Sequence, residues 1–211
     1  MIGAFFGGKA CFFVQVGSND GVSGDPLREL ILANPRWRGI FIEPMDDPFE
    51  RLVSTYRDVD RFAFEHVAIS DSAADCPFYY VSSETIRSAG LPSWCDQIGS
   101  LSRDHVLRHL KFCTEEPEPL LSERRVRCET LMSVLERNGV GRIDVLHIDA
   151  ESYDYQILKQ LDFKRFRPKL ILFEHRHLSI GDRNAATSLL SGAGYSLVNC
   201  GTMDTIAVRR N

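Results

Sequence analysis

The sequence predicts an α/β domain built on a mostly parallel sheet with helices on both faces. Apolar, strand-like runs alternate along the chain with segments whose apolar residues recur at helical spacing. Such alternation favours right-handed crossovers between parallel strands. The last two runs, 195–200 and 203–209, flank Gly201 and Thr202 and predict a closing antiparallel hairpin.

The strands before that hairpin are predicted at 11–16, 39–43, 62–68, 143–149 and 169–174. Mainly apolar runs of this kind are typical of parallel strands that are buried on both faces. Helical spacing is clear in 26–33 and in 153–161. With 211 residues, 44% of them hydrophobic, the chain can form one core, so we expect a single domain over 1–211.

One segment, 82–123, interrupts the alternation and is expected to be an irregular insertion. It contains Pro92, Pro117 and Pro119, with one helical piece at 102–112 that Ser102 caps. Long insertions in compact domains often form lids or binding loops near the carboxyl ends of the strands. We therefore favour a lid or substrate-binding role over a decoration that touches no ligand.

Composition and charge restrict the partners and the compartment. The net charge of −4 offers no general attraction for a nucleic acid, and the basic cluster Arg124, Arg125 and Arg127 is best interpreted as a solvated strand edge. The six cysteines have no CxxC pair or metal-finger spacing, which favours reduced thiols. No run approaches the roughly 20 apolar residues of a membrane span. We expect a soluble, cytoplasmic protein without nucleic-acid or membrane partners, and the sequence leaves the oligomeric state open.

The first candidate site is the glycine turn Gly17-Ser18-Asn19-Asp20-Gly21, which follows the first strand. Such a turn lets a ligand approach the backbone at the carboxyl end of the strand, although the GxGxxG spacing is absent. Glu43 ends the second strand, where a carboxylate can accept hydrogen bonds from ribose hydroxyls. Together they indicate a nucleotide-type cofactor, while a surface acid that caps the next helix is the alternative for Glu43.

The fourth strand ends in a second group of polar residues. Period-two alternation places His147 and Asp149 on one side of the strand, and Glu151 follows near its tip. Acids at the end of a buried apolar strand are hard to explain by packing, so we assign Asp149 to the site. Asp154 is equally well explained as a first-turn acid that complements the helix dipole.

The fifth strand ends in a third group, Glu174, His175 and His177. A histidine is a natural general base for a hydroxyl, so His175 is our first choice, with Asp149 orienting it or the substrate and Glu151 beside them. These groups could also hold a divalent metal. Because their spacing matches no specific metal motif, the working hypothesis contains no metal.

Taken together, the order of several segments resembles the FkbM family of S-adenosylmethionine-dependent methyltransferases, from about residue 11 to residue 175. The segments are FVQVGSNDG, GIFIEP, FEHVAISD, IGSL, VRCETL, IDVLHIDAESYDYQIL and PKLILFEH. The resemblance implies a Rossmann-like class I methyltransferase sheet and S-adenosylmethionine as cofactor. It also implies methyl transfer to a hydroxyl of a small secondary metabolite or sugar.

The resemblance also implies residue roles. Gly17, Asn19 and Gly21, together with Ser18, would cradle the methionine end, Glu43 would hold the ribose, and Ala68 and Ile69 would line the adenine. The family's Asp-x-Glu-Gly signature falls on residues 149–152. There are two departures: Gln15 stands where an acid is common, and Ser152 replaces the glycine.

Two other functions compete with this one. Tyr155 and Lys159 match the Tyr-x-x-x-Lys spacing of short-chain dehydrogenases, but the glycine motif is wrong and a packed ring with a snorkelling amine explains the pair. A binding module that has lost catalysis is the second rival. The presence of Asp149, Glu151 and His175 argues against such a loss.

Overall fold

A computed structural model describes residue 6 and residues 8–210, and its main feature is a seven-stranded sheet. The strands of this sheet are β1 (Cys11–Val16), β2 (Trp37–Ile42), β3 (Phe62–Glu65), β7 (Val145–Ile148), β8 (Leu170–Glu174), β9 (Tyr195–Cys200) and β10 (Asp204–Arg209). Their order is β3-β2-β1-β7-β8-β10-β9. β10 runs antiparallel to both β8 and β9, whereas the other pairings are parallel, as the sequence predicts.

The strand order reverses its direction at β1, and this positions the site. β1 pairs with β2 on one side and with β7 on the other, so that Gln15 lies opposite both Phe41 and His147. The crossovers on the two sides of β1 lead away from each other, which leaves a crevice at the carboxyl ends of the strands. The glycine turn and the acids of the sequence hypothesis all lie at this edge of the sheet.

Seven α-helices lie along the described part of the chain, and those outside the insertion cover both faces of the large sheet. They are α1 (Arg28–Ala33), α2 (Asp46–Thr55), α3 (Ser83–Ser88), α4 (Arg103–Leu110), α5 (Leu131–Arg137), α6 (Asp154–Leu158) and α7 (Ile180–Gly192). Alternate residues of β1 enter two different cores: Phe13 packs with Trp37 on one face, and Val14 packs with Leu146 on the other. This two-sided burial is the reason why the strands are apolar without alternation.

A second, three-stranded sheet corrects one predicted strand. The run 62–68 is divided between β3 and a separate strand β4 (Ala68–Ile69), which pairs with β6 (Ser122–Glu129) beside β5 (Ala74–Tyr80). The chain leaves the large sheet after Glu65 because its partner strand β2 ends at Ile42. The run therefore could not continue as one strand.

The basic cluster lies on β6 and is ion-paired, as a strand edge requires. Arg124 pairs with Asp46, and Arg127 lies 2.5 Å from the Glu129 carboxylate. Arg125 donates to the backbone carbonyl of Asp75. These contacts account for the cluster without a phosphate ligand.

The insertion 82–123 is more ordered than the sequence suggests. Besides α3 and α4 it contains two short 3₁₀ helices, Ser93–Asp96 and Glu118–Leu120. Cys95, Ile98, Val106 and Leu110 are buried in a small core of its own. The apolar residues of this segment therefore face one another rather than the main sheet.

Within the described residues, no helix is both long enough and apolar enough to cross a membrane.

Candidate active site

The glycine turn after β1 passes very close to the end of β7. Gly17 and Gly21 have φ angles of 75° and 70°, and Asn19 between them has a φ of 46°. A Cβ atom at Gly17 would overlap the backbone carbonyl of Asp149. Both the left-handed backbone and the close approach therefore require glycine at this position.

The Ser18 hydroxyl fastens this turn to the two strands beneath it. Ser18 Oγ donates to the carbonyl of Gln15 at 3.1 Å and accepts from the N–H of Ile42 at 3.2 Å. The backbone N–H groups of Gly17 and Ser18 both donate to the Ile42 carbonyl, at 3.0 and 3.1 Å. Hydrogen bonds within the protein thus hold the turn against β1 and β2.

Glu43 lies beside the turn and is almost fully buried, with 6% of its surface exposed. Its two carboxylate oxygens accept hydrogen bonds from the N–H groups of Asn19 and Met45, at 2.9 and 3.0 Å. Burial raises the pKa of Glu43 to about 7. Each oxygen keeps a free lone pair, so the group can still accept bonds from a ligand.

Asp149 follows β7 directly and opens into the same cavity. Its backbone N–H donates to the carbonyl of Val16 at 2.9 Å, which extends the pairing of β7 with β1 by one residue. Among the described residues, no donor reaches its carboxylate within hydrogen-bond distance. Burial, together with the negative charges of Glu174, Asp204 and Glu43, raises the pKa of Asp149 to about 7.

The small sheet forms one apolar wall of the cavity. Ala68 and Ile69 of β4, with 4% and 3% of their surfaces exposed, line it together with Phe78 of β5. Ala68 and Ile69, to which the resemblance assigns the adenine, therefore line the same cavity as the glycine turn. Phe78 was not anticipated, because nothing in the sequence connects β5 to this site.

Two buried polar atoms without a partner form the floor of the cavity. Gln15 Oε1 and His147 Nδ1 have no hydrogen-bond partner among the residues that the structure describes, although Gln15 and His147 are only 1% and 4% exposed. Burial lowers the pKa of His147 to about 4, so its ring is neutral at pH 7. Buried polar atoms of this kind usually have a partner, so these two are well placed to bind a ligand.

The charge of the cavity lining is strongly one-sided. Five carboxylates line it and, within the described part of the chain, no Lys or Arg does; the acids are Asp25, Glu43, Asp96, Asp149 and Glu151. Asp25 and Asp96 were missed at the sequence level. Asp25 is in the loop before α1 and Asp96 in the insertion, and no motif marks either one.

Glu151 connects the cavity to the insertion. Its backbone carbonyl accepts a hydrogen bond from Ser100 Oγ at 2.8 Å, and its Oε2 atom lies 2.7 Å from Nε2 of His105 on α4. Burial and the neighbouring acids Asp149 and Glu174 raise the pKa of Glu151 well above its usual value. The first turn of α4 therefore reaches the tip of β7.

The histidines after β8 are arranged differently from the sequence hypothesis. His175 Nδ1 is 2.9 Å from Thr205 Oγ1 on β10, and His175 is not among the residues that line the cavity. His177 is the residue that turns toward the acids: its Nε2 lies 3.2 Å from Glu174 Oε1 and 3.9 Å from Glu151 Oε2. β10 pairs beside β8 and offers a hydroxyl to His175, which draws that ring away from Asp149.

Asp154 is neither a solvent-exposed helix acid nor part of the cavity lining. It is completely buried and accepts hydrogen bonds from the N–H groups of Glu174, at 3.1 Å, and Ala150, at 3.4 Å. It therefore links the ends of β8 and β7. Its proximity to Asp149 and Glu174, added to burial, raises its pKa well above the usual value.

The dehydrogenase-like pair lies outside the cavity lining. Tyr155 packs partly buried against the main core, and Lys159 Nζ lies 3.6 Å from the exposed carboxylate of Asp71. This is the packing role that the sequence interpretation gives them.

Ser152 takes the left-handed backbone of the glycine that it replaces. Its φ is 81°, and that of Glu151 is 48°. The tight turn after β7 is therefore retained despite the substitution, at the cost of two non-glycine residues in a rarely populated conformation.

A doubly wound sheet with an antiparallel strand near one edge, and a glycine turn facing acidic strand ends, defines a Rossmann-like class I methyltransferase. No curated protein matches this sequence. The family model described as methyltransferase FkbM domain matches residues 15–197, and the chain therefore belongs to the FkbM family of S-adenosylmethionine-dependent methyltransferases.

Solved structures with a related arrangement are distant in sequence. An O-methyltransferase from Bacillus cereus, in complex with SAH, is 11% identical with a TM-score of 0.48; 99% of this chain and 80% of that one are covered. A ribosomal protein L11 methylase from Lactobacillus delbrueckii subsp. bulgaricus is 9% identical over 96% and 71% of the two chains, with a TM-score of 0.48. A SAM-dependent O-methyltransferase from Thermotoga maritima is 8% identical over 100% and 63%, also with a TM-score of 0.48.

Proposed function

We propose that this protein methylates a hydroxyl group of a small molecule, a secondary metabolite or a sugar, with S-adenosylmethionine as donor. The cofactor supplies a methyl group that is bound to a cationic sulfonium. When the methyl group is transferred, the sulfur leaves as a neutral thioether and needs no proton from the protein. The chain then has two tasks, which are to orient the acceptor oxygen in line with the methyl group and to remove its proton.

The charge of the cavity is the observation that carries the proposal. Five carboxylates and no described Lys or Arg line it, and no described residue donates a hydrogen bond to the Asp149 carboxylate. Such a lining attracts a cationic ligand and repels the pyrophosphate of a dinucleotide. It therefore supports S-adenosylmethionine over the nicotinamide cofactor of a dehydrogenase.

Other residues of the cavity fit the remaining parts of the cofactor. Glu43 keeps free lone pairs for ribose hydroxyls, and Ala68 and Ile69 offer an apolar wall for a base. Gln15 Oε1, buried and without a partner, can accept from an ammonium group. The replacement of the usual acid by Gln15 therefore retains an acceptor at this position.

Asp149 is our candidate for the proton acceptor. Its carboxylate is open to the cavity, and a pKa of about 7 is suited to a general base near neutral pH. His175, by contrast, is directed at Thr205. Glu151 lies at the edge of the cavity and, with a raised pKa, serves to orient the acceptor.

An open cleft beside the cavity is our candidate entrance for the acceptor. Tyr153 lines both spaces, and His109, Phe112, Arg176 and His177 line the cleft. Aromatic and hydrogen-bonding groups side by side suit a small hydroxylated molecule. The proposal includes a cytoplasmic setting, in which the six free thiols would remain reduced.

Calorimetry with S-adenosylmethionine and with NAD tests the cofactor, and mass spectrometry of hydroxylated compounds incubated with the loaded enzyme tests the acceptor. We expect heat from S-adenosylmethionine only, and a mass gain of one methyl group on a hydroxyl. Binding of NAD without a signal from S-adenosylmethionine would overturn the cofactor. Transfer to a nitrogen or carbon atom alone would overturn the acceptor chemistry.

A further inference from the structure

Three histidines and two glutamates meet at the point where the insertion touches the ends of β7 and β8. His105 and His109 come from α4, and His177 follows β8. Ligand atoms of these three rings lie within 4.8 Å of one another, as do those of Glu151, Glu174 and His177. His177 belongs to both groups, so the five side chains form one cluster.

The most buried member of the cluster has no hydrogen-bond partner among the described residues. His105 is completely buried, and no group in the described part of the chain is in hydrogen-bond geometry with either of its ring nitrogens. Its Nε2 lies only 2.7 Å from Glu151 Oε2, but the two atoms are not aligned for a hydrogen bond, and Glu151 Oε2 likewise has no partner within 8–210. A buried polar group that has no hydrogen-bond partner costs about 1–3 kcal/mol of stability. A ligand that binds these atoms is therefore a simpler explanation than packing.

His109 has the tautomer that a metal ligand needs. Its Nδ1 lies 3.0 Å from the backbone carbonyl of His105. A carbonyl can only accept, so Nδ1 carries the proton and Nε2 of the neutral ring carries the free lone pair. A metal-binding histidine typically makes this bond to a backbone carbonyl with its second nitrogen.

The three rings are also packed closely against one another. The ring centroids of His105 and His109 are 4.3 Å apart, and those of His109 and His177 are 4.4 Å apart. Glu151 and Glu174 supply negative charge that can offset a cation at this place. Three imidazoles with a carboxylate are a donor set that suits zinc and neighbouring divalent transition metals, not magnesium or calcium.

We propose that His105, His109 and His177, together with Glu151, form a binding site for a divalent transition metal such as Zn²⁺. Bonds of about 2.1 Å in a tetrahedral site bring ligand atoms about 3.4 Å apart. The ligand atoms of each group lie within 4.8 Å of one another, so the distances between them must shorten by at most about 1.4 Å. Glu174 Oε1 lies 3.2 Å from His177 Nε2 and offers a second carboxylate as a ligand.

The site would lie between the cofactor cavity and the open cleft. Glu151 lines the cavity, while His109 and His177 line the cleft. With four protein ligands the metal has no position left for an acceptor, so its role would be structural: it would join the first turn of α4 to the end of β7, beside the acceptor entrance. The acceptor entrance rests on the proposed function, whereas metal binding itself does not.

The experiment titrates the full chain, freed of metal with EDTA, with Zn²⁺ by calorimetry and with Co²⁺ by visible spectroscopy. We expect one equivalent to bind and the Co²⁺ complex to show the absorption of nitrogen coordination. His109→Gln and His177→Gln should weaken binding by about 100-fold or more, since losing even an outer partner costs 10–100-fold. His66→Gln is the matched control, because His66 lies apart from the cluster, stacked on Phe49, and should bind as the wild type does.

Absence of stoichiometric binding to the wild type would overturn the site, as would unchanged binding by both cluster variants. Should these variants fail to fold, proton NMR of the wild type decides: resonances of three imidazoles must shift on adding one equivalent of Zn²⁺, and shifts confined to other histidines refute the site. Binding of S-adenosylmethionine is measured separately on the metal-free protein. Loss of that signal counts against the proposed function only, and loss of the metal signal against this inference only.

Discussion

The backbone N–H of Asn19 donates a hydrogen bond of 2.9 Å to Oε2 of Glu43, and this bond joins the ends of β1 and β2. The acid therefore supports the glycine turn and faces the cavity at the same time. Its position is set by the protein alone, so a ligand finds its acceptor already oriented.

Glu43→Gln should weaken the binding of S-adenosylmethionine about ten- to a hundredfold. The amide keeps one acceptor oxygen but loses the second and the charge, and a hydrogen bond to a charged group contributes about 1.5–3 kcal/mol. Calorimetry measures the affinity, with Glu50→Gln on the exposed face of α2 as control. Equal affinities for both variants would remove Glu43 from the cofactor site.

Gly17→Ala should destabilise the protein far more than Gly24→Ala. Both glycines have positive φ, 75° and 71°, but a Cβ at Gly17 overlaps the Asp149 carbonyl and one at Gly24 meets nothing within 4 Å. We expect Gly24→Ala to lower the free energy of unfolding by about 1 kcal/mol, from backbone strain alone. Gly17→Ala should lower it by at least about 2 kcal/mol more. Urea unfolding provides both values, and similar losses would show that the close approach is unimportant.

Asp149→Asn should lower the turnover of methyl transfer by about 10²–10⁴, the usual contribution of a general base. S-adenosylmethionine affinity should fall much less than turnover. The His175→Ala and Tyr155→Phe variants should keep nearly the wild-type turnover, because the His175 ring bonds to Thr205 and the Tyr155 ring packs against the core. An inactive His175→Ala beside an active Asp149→Asn would return the base to His175.

The stability of the ligand-free protein should fall between about pH 4 and pH 7, in part because of Asp149. Its pKa is raised from 3.8 to about 7 on folding, so between these values the folded protein binds a proton that the unfolded chain does not. The stabilising contribution is thus fully present below pH 3.8 and is lost as the pH rises through 7. Asp149→Asn should be more stable than the wild type at pH 8 by on the order of 1–3 kcal/mol, with little difference at low pH.

Urea unfolding at several pH values measures this effect, and Asp58→Asn on the surface is the matched control. A constant difference between Asp149→Asn and the wild type across the pH range would show that this carboxyl has an ordinary pKa.

Amide hydrogen exchange in 82–123 should slow when cofactor and acceptor bind. Ser100 and His105 of this segment contact Glu151 at the edge of the cavity, so ordering of the site should be felt there. Exchange in α5, which lines neither the cavity nor the cleft, serves as internal reference. Protection that is the same with and without ligand would leave the segment as a decoration.

The sequence alone determined the layers and the edge of the sheet at which the site lies. Buried parallel strands must be apolar on both faces. The runs at 11–16 and 169–174 can therefore be recognised as strands before their neighbours in the sheet are known. The turn at Gly17 and the acids Glu43 and Asp149 follow their strands directly, and parallel strands carry such residues to one edge. Each of these features depends on a short stretch of sequence, so it can be predicted without knowledge of the tertiary contacts.

Only the tertiary structure decided which side chains meet at that edge. Thr205 draws His175 away from Asp149, while His105 reaches Glu151 from an insertion whose sequence gives no sign of that contact. The division of 62–68 between two sheets likewise depends on where β2 ends. The direction of a side chain beyond a strand end depends on partners that are distant in the chain, and no local periodicity encodes them.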